Sequence, residues 1–466
     1  MVLSTNSWQN GAGARFKESI MKTSIHGSAI NRLCWGFFLT AFTFFYIYQP
    51  RPLIRPTWQS LALISYVWIA ARHGYAFIRL LRKSRFRWFL SLLAGAMLYA
   101  VAAKYFAGEG IFTSRDRYLL EFLVFGVPCA VAVALELAKT FRSDWAAINL
   151  LIVVALLQAF FCLLAFYSPA FRERIMLPEY YALEYNVLTT DILQHRIFGY
   201  STGLLFAVPV LQAYVACLVL VQVLLRNWYH MFWVPILLFS GIINARFSAI
   251  IFIAGLSMVS LGLFFWSHRV RIFIRGFILT AVCLGAVLHY FLPTIENATK
   301  DDSPTLAWLN DGMNEASAFM QGNSDFNVLL NEMIVFPQGE KLIYGTGHLV
   351  FGSESEQAFT SDNGFINDLW FGGLFMMALL YAAFIVILWP DRTWPPEFRV
   401  IQWMTIGLLA LANMKGMILY ASPFIGTLML IVFYNLCKYN SESDGSNGPQ
   451  SAVEQDESHN IMAPEY

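Results

Sequence analysis

Apolar runs long enough, or nearly long enough, to cross a lipid bilayer recur along this chain at 33–48, 58–71, 88–106, 118–138, 146–167, 203–225, 231–244, 247–266, 272–292, 364–389, 400–414 and 417–437. A helix needs about 20 consecutive apolar residues to span the hydrocarbon, and in that solvent each backbone group must be bonded within the helix itself. The runs therefore predict an all-α, polytopic membrane protein of about twelve transmembrane helices, the second, seventh and eleventh being short. Composition excludes a soluble globular domain, since 58% of the residues are hydrophobic and only 13% are charged.

Lysine and arginine set the orientation. The densest basic clusters, Arg72 to Arg87 and Arg269 to Arg275, fall on one side of the predicted topology together with Lys139, Arg142, Arg392, Arg399 and Lys438. The positive-inside bias makes that side cytoplasmic. Both termini are then cytoplasmic, and two polar loops face outward. The predicted layout is a cytoplasmic segment 1–32, then helices one to nine across 33–292 with an external loop at 168–202. A large external loop follows at 293–363, then helices ten to twelve across 364–437, and an acidic, aromatic-poor tail 438–466 that reads as disordered. No small-residue cleavage site follows the first apolar run, so the first helix itself reads as the insertion signal. All six cysteines lie in or at the ends of predicted spans, so neither a disulfide framework nor a thiolate metal site is expected.

A stretch of about 70 polar residues inside a membrane-buried sequence is long enough to carry function rather than merely connect helices. It ends in Gly345-Thr346-Gly347-His348 and Ser361-Asp362-Asn363-Gly364, where the next apolar run begins. His348 and Asp362 are the candidates for a catalytic base, and Asn363 for contact with an acceptor hydroxyl. Asp362 or Asn363 equally suits the N-cap of the following helix. The glycines let backbone pass close to a ligand, but without a flanking strand and helix they make no Walker or Rossmann loop. Asp301-Asp302 is an isolated carboxylate pair and a weak metal candidate. Phe326, Leu329, Leu330, Met333 and Ile334 recur at helical spacing and predict an amphipathic helix within the loop.

The loop 168–202 gathers Arg172, Glu173, Arg174, His195 and Arg196 with Tyr180, Tyr181, Tyr185 and Tyr200. Aromatic faces stack on the apolar faces of sugars and arginine pairs bidentately with phosphate, so the mixture suits a phosphosugar; an interfacial helix with solvated charges and an aromatic belt is the alternative. Arg246, in Asn244-Ala245-Arg246-Phe247-Ser248, is the only charge between Met231 and Trp266. A guanidinium placed there needs an anionic partner, either a structural carboxylate or a ligand phosphate. Lys415, in the turn Asn413-Met414-Lys415-Gly416, is a second cation over the same cavity or a snorkelling lysine. The candidate substrate-binding set is thus Arg246, Arg196, His195, Arg172, Arg174, Lys415 and Asn363.

At these residues the chain resembles the bacterial O-antigen polymerase and O-antigen ligase superfamily, membrane glycosyltransferases that act on lipid-linked oligosaccharides. The resemblance lies in the many-helix topology with its two outer loops and in Asn244-Ala245-Arg246-Phe247-Ser248, similar to the family's small-residue/Arg turn. Gly345-Thr346-Gly347-His348, Asp362-Asn363-Gly364-Phe365 and Gly372-Gly373 are similar to the pattern before and through its post-loop helix. Ligases of this group usually carry His directly before that Asn, whereas Asp362 stands there in this chain, which favours the polymerase reading. The resemblance implies a GT-C-like, metal-independent enzyme without a cofactor. Its reaction would polymerise undecaprenyl-diphosphate-linked oligosaccharide repeat units into a surface or exopolysaccharide at the periplasmic face of a bacterial inner membrane. It further implies Arg246 and Arg196 on the diphosphate, Arg172 with Arg174 on an anionic part of either substrate, and His348 or Asp362 as the base. A flippase and a chain-length regulator are the implied protein partners, and nucleic acid is not one. An O-antigen ligase is the alternative and a polysaccharide flippase the second, although the chain shows no internal repeat and keeps Glu121 and Glu136 toward the ends of their helix.

Overall fold

In the computed structural model each apolar run but 272–292, which is described at four positions only, carries a helix along most of its described length. The structure describes residues 32–50, 57–108, 110–112, 115–141, 143–176, 195–201, 207–225, 228–267, 304–320, 334–348, 350, 361–419 and 423–439, with isolated positions 274, 278, 281 and 285. The helices are α1 (Arg32–Tyr48), α2 (Thr57–Trp68, continued by a π-helical turn Ile69–His73 and by Gly74–Arg82), α3 (Ser84–Phe106), α4 (Arg115–Thr140) and α5 (Ala146–Tyr167). There follow α6 (Ala207–Leu225), α7 (Trp228–Ile242), α8 (Phe247–Ser267), α9 (Pro304–Met320), α10 (Glu340–Tyr344), α11 (Gly364–Leu388), α12 (Pro396–Lys415) and α13 (Pro423–Tyr439). No strand occurs among the described residues. Seven of these stretches are long and apolar enough to cross a membrane, namely Gln59–Arg82, α3, α4, α5, α6, Phe247–Phe265 and α11. The architecture is that of a polytopic membrane protein. Apart from those four positions the run 272–292, and with it the segments 1–31 and 440–466, Asp301-Asp302, the tyrosines 180, 181 and 185 and the amphipathic stretch 326–333, fall outside the described residues. Ile334, the last member of that pattern, is described and is not helical.

An apolar helix without a polar face must be covered on all sides, and α6 is: α5, α7, α8, α12 and α13 pack around it. The rim is different. Helices α2 and α3 expose Leu63, Tyr66, Val67, Trp88, Leu98, Tyr105 and Phe106, side chains that a bilayer and not water would cover.

α11 is not a straight rod. At Gly373 the backbone takes φ +63° and ψ −171° inside the helix, a conformation that glycine adopts without a Cβ clash. Tyr381 and Asp368 lie 13 positions apart yet their side chains meet at 2.5 Å, and the rings of Phe365 and Tyr381 stack at 5.4 Å. An unbroken helix would separate these pairs by about 20 and 24 Å along its axis. The residues 364–372 and 374–388 are therefore two arms folded toward each other about a sharp elbow.

Breaking a helix orphans carbonyls, and the sequence supplies their partners. Thr346 donates from its backbone N–H (2.7 Å) and its hydroxyl (2.9 Å) to the Trp370 carbonyl, and Gly347 N–H donates to Phe371 (2.9 Å). The approach is close: a Cβ on Gly345 would stand 2.4 Å from the Phe371 oxygen, and one on Gly347 would stand 2.8 Å from Ala107 on the end of α3. Gly345-Thr346-Gly347 thus brings backbone close to backbone, where the sequence pointed to a ligand.

One carboxylate is buried where α2 meets α4. Glu136 is fully buried and is held from several sides by donors. Arg72 gives it a bidentate fork (2.7 and 2.9 Å), His73 Nε2 lies at 2.8 Å, Thr140 Oγ1 at 2.7 Å and Trp68 Nε1 at 3.2 Å. The Arg72 guanidinium also lies over the Trp35 ring at 4.4 Å.

Candidate functional site

The short turn between α7 and α8 carries Arg246. Ala245 N–H donates to the Gly241 carbonyl (2.8 Å) and Ser248 Oγ donates to the Ala245 carbonyl (2.8 Å), which closes the turn on itself. The segment 195–201 is threaded beside it. Ile197 N–H donates to the Ile243 carbonyl (3.1 Å), Gln158 Nε2 of α5 to the Phe198 carbonyl (2.7 Å), and Ser201 Oγ to the Tyr48 carbonyl (3.0 Å). Gly199, at φ +68°, lies so close to α5 that a Cβ would stand 2.7 Å from both Cys162 Sγ and Gln158 Nε2. These bonds place Arg196 one residue from a direct backbone link to the turn that holds Arg246.

Helix α9 of the long loop covers the pair. Its Trp308 ring has Arg246 Cζ at 4.3 Å and Arg196 Cζ at 5.2 Å from the ring centroid, within cation–π range. The helix is seated by Leu309, which packs with Ile197, Phe198, Ile243 and Met176, and by His195, whose Nδ1 lies 3.4 Å from the Pro304 carbonyl. At Gly312 a Cβ would stand 2.0 Å from Arg246 Nη1, so the guanidinium runs across a face that only glycine leaves open. Burial lowers the pKa of Arg196, the neighbouring charge of Arg246 lowers it further, and Asp362 acts the other way. The Asn244 side chain, two residues before Arg246, is fully buried, and no hydrogen-bond partner among the described residues reaches its amide nitrogen or oxygen.

Asp362 joins the group from the root of the first arm of α11. Its Oδ2 lies 4.0 Å from Lys415 Nζ. The N-cap falls to Asn363 and not to Asp362, since Asn363 Oδ1 accepts from the N–H groups of Phe365 (2.9 Å) and Ile366 (3.2 Å). His348 stands elsewhere along that arm. Gly347 is bonded at the elbow and the Val350 carbonyl accepts from Ser361 N–H (2.7 Å), which leaves His348 next to the elbow and Asp362 at the root. Of the two candidate bases, Asp362 is the one placed with the arginine pair. Arg172 and Arg174 lie on a separate π-helical turn, Arg172–Met176, which borders the site through Met176. Burial lowers the pKa of Arg172 and the adjacent Glu173 opposes that shift.

Sequence reasoning missed Trp308, and it missed Arg115 and Asp368, which form an ion pair buried at both ends. Asp368 could have been found, because a carboxylate inside the apolar run 364–389 is costly unless paired. Trp308 carries no such signal; a lone indole in a polar loop has many uses. Set against protein-family models, curated proteins and solved structures, the chain gives no match.

Proposed function

We propose that this chain is a membrane glycosyltransferase that polymerises polyprenyl-diphosphate-linked oligosaccharide repeat units, with the Arg196 and Arg246 pair as its diphosphate clamp. The observation that carries this reading is two half-buried guanidiniums against one indole ring, close enough for one charge to perturb the other. Like charges repel, more strongly as water is removed, and an anion with several oxygens on two phosphorus atoms answers both forks at once. The root of the first arm adds a helix N-terminus, whose dipole favours negative charge, and Lys415 adds a third cation.

The chemistry assigned to the site is a displacement at the anomeric carbon of the donor chain. Asp362 takes the proton of an acceptor hydroxyl on a second lipid-linked unit, the hydroxyl oxygen bonds to the anomeric carbon, and the bond from that carbon to the diphosphate oxygen breaks. Charge growing on the leaving polyprenyl diphosphate is stabilised by Arg196, Arg246 and Lys415, the role a divalent cation plays in other phosphosugar enzymes. In this reading the site faces the periplasm, and the bundle sits in a bacterial inner membrane. The carbonyls freed by a broken helix, which in transporters ligate ions, are here taken by Thr346 and Gly347, which favours an enzyme over a flippase.

Deleting the gene and resolving the surface polysaccharide on a gel tests this. A polymerase loss leaves single repeat units on the surface; chains built but left unattached would mean a ligase, and units trapped inside a flippase.

A further inference from the structure

The two arms of α11 are tied across the open side of the elbow by a chain of side chains from three helices. The Tyr381 hydroxyl donates to Asp368 Oδ2 (2.5 Å) and accepts from Asn413 Nδ2 of α12 (2.7 Å). Asp368 is also ion-paired with Arg115 of α4, and both are buried. Asn413 does more than reach Tyr381. Its Oδ1 accepts from Ile418 N–H at 3.3 Å, and Gly364, the first residue of the arm, is seated so closely on it that a Cβ there would stand 2.5 Å from Asn413 Oδ1. Two residues before Gly364 is Asp362, and two residues after Asn413 is Lys415, its ionic neighbour.

From this geometry we infer that Tyr381 is a positioning residue, whose hydroxyl sets the root of the arm, and with it Asp362, against Lys415 and the arginine pair. A hydroxyl that donates to a carboxylate makes a charge-assisted bond, and this one lies where two arms meeting at a single flexible glycine need a fixed angle. Asn413 transmits that angle directly, since it touches Tyr381 on one side and Gly364 on the other. The role of Asp362 in the reaction rests on the polymerase reading; the placement of Asp362 by Tyr381 does not.

The test is therefore made first on position. Asp362→Cys and Lys415→Cys are introduced together into the full chain, bridged with a short bifunctional thiol reagent in detergent, and the linked peptides are quantified by mass spectrometry. Adding Tyr381→Phe, which keeps the ring stacked on Phe365 and removes only the hydroxyl, should lower the yield of that link several-fold while the melting temperature of the protein shifts little. An unchanged yield overturns the inference. Should Tyr381→Phe fail to fold, Asn413→Ser, which withdraws the donor and leaves the bond to Asp368, must lower the yield in the same direction, and an unchanged yield again overturns it. On the otherwise unaltered chain, Tyr381→Phe should reduce the turnover of chain elongation by about tenfold to a hundredfold, the scale expected for a displacement of about 1 Å. The KM for the lipid-linked donor should stay within about twofold, since the arginine pair is untouched. Wild-type turnover in Tyr381→Phe alongside dead Arg246 variants removes the positioning role and keeps the polymerase reading. Wild-type elongation in the Arg246 variants removes the polymerase reading whatever Tyr381 does.

Discussion

Among the arginines that lie over tryptophan rings, Arg72 and Arg246 keep different company. Arg72 stacks at 4.4 Å on Trp35 and gives both prongs of its fork to Glu136, a carboxylate with no exposure, which His73, Thr140 and Trp68 also hold. Arg246 stacks at 4.3 Å on Trp308 and has a second guanidinium, Arg196, against the same ring. The first arrangement is closed: a partly exposed guanidinium and a buried carboxylate of opposite charge satisfy each other, and removing the arginine strands the acid. The second sets two like charges against one ring, with the carboxylate of Asp362 acting on Arg196 from the root of the first arm; under the proposed function a ligand phosphate completes it. The neighbours of the two arginines, and not their burial, are what the proposed function asks experiment to tell apart.

The comparison breaks most directly at Arg246. Arg246→Ala should cut chain elongation by about 10²- to 10³-fold, as when one preorganised donor to a developing anion is lost, while thermal melting stays near wild type. Arg246→Lys keeps the charge without the fork and should still lose most of the activity. If melting falls together with elongation, Arg246 belongs with Arg72 as a structural residue. Glu136→Ala should do the reverse. Leaving His73 buried without its partner, and the partly exposed Arg72 without its own, should lower stability by about 1–3 kcal/mol, read by thermal melting in detergent, whereas Glu136→Gln, which keeps the shape, should cost less. Activity per folded molecule should be unchanged in either variant.

Gly312→Ala comes next in size. The new methyl meets Arg246 Nη1 at 2.0 Å unless the guanidinium moves, so elongation should fall by about tenfold or more through misplacement, with little change in melting because a helix tolerates alanine better than glycine. Equal activity in Gly312→Ala would show that the seat of Arg246 on α9 is not used. The smallest expected effect is that of EDTA. With arginines stabilising the leaving diphosphate, elongation by the purified protein should be the same before and after chelation; activity lost to EDTA and restored by magnesium would move the search to Asp301 and Asp302.

The fold was legible where the bilayer dictates it. Runs such as 88–106 and 146–167 need no context to be read as helices, and they appear as α3 and α5. Arg246 was legible for the same reason, as one charge in a long apolar stretch. What stayed hidden depends on tertiary approach. Gly372-Gly373 reads as a pair of small residues in an apolar run, and nothing local says that only the second turns the chain or that Tyr381 then meets Asp368. Gly345-Thr346-Gly347 looked like a ligand loop because glycine permits close approach to anything, and the partner proved to be the broken helix. Asn363 carried two readings, and the geometry drew the cap; Trp308 depends on where α9 lands, which no periodicity encodes.

The ion pair between Arg115 and Asp368 also bears on how the chain enters its membrane. A carboxylate within an apolar arm is costly to insert alone, yet Arg115 opens α4 and is made long before Asp368. The arm can thus enter already neutralised by a partner in place, before α12 exists to supply Asn413. Tyr381 and Asn413 close on Asp368 only once the second arm and α12 have followed. The order of synthesis therefore lets the charge of the arm be met before the amide that helps set its angle is made.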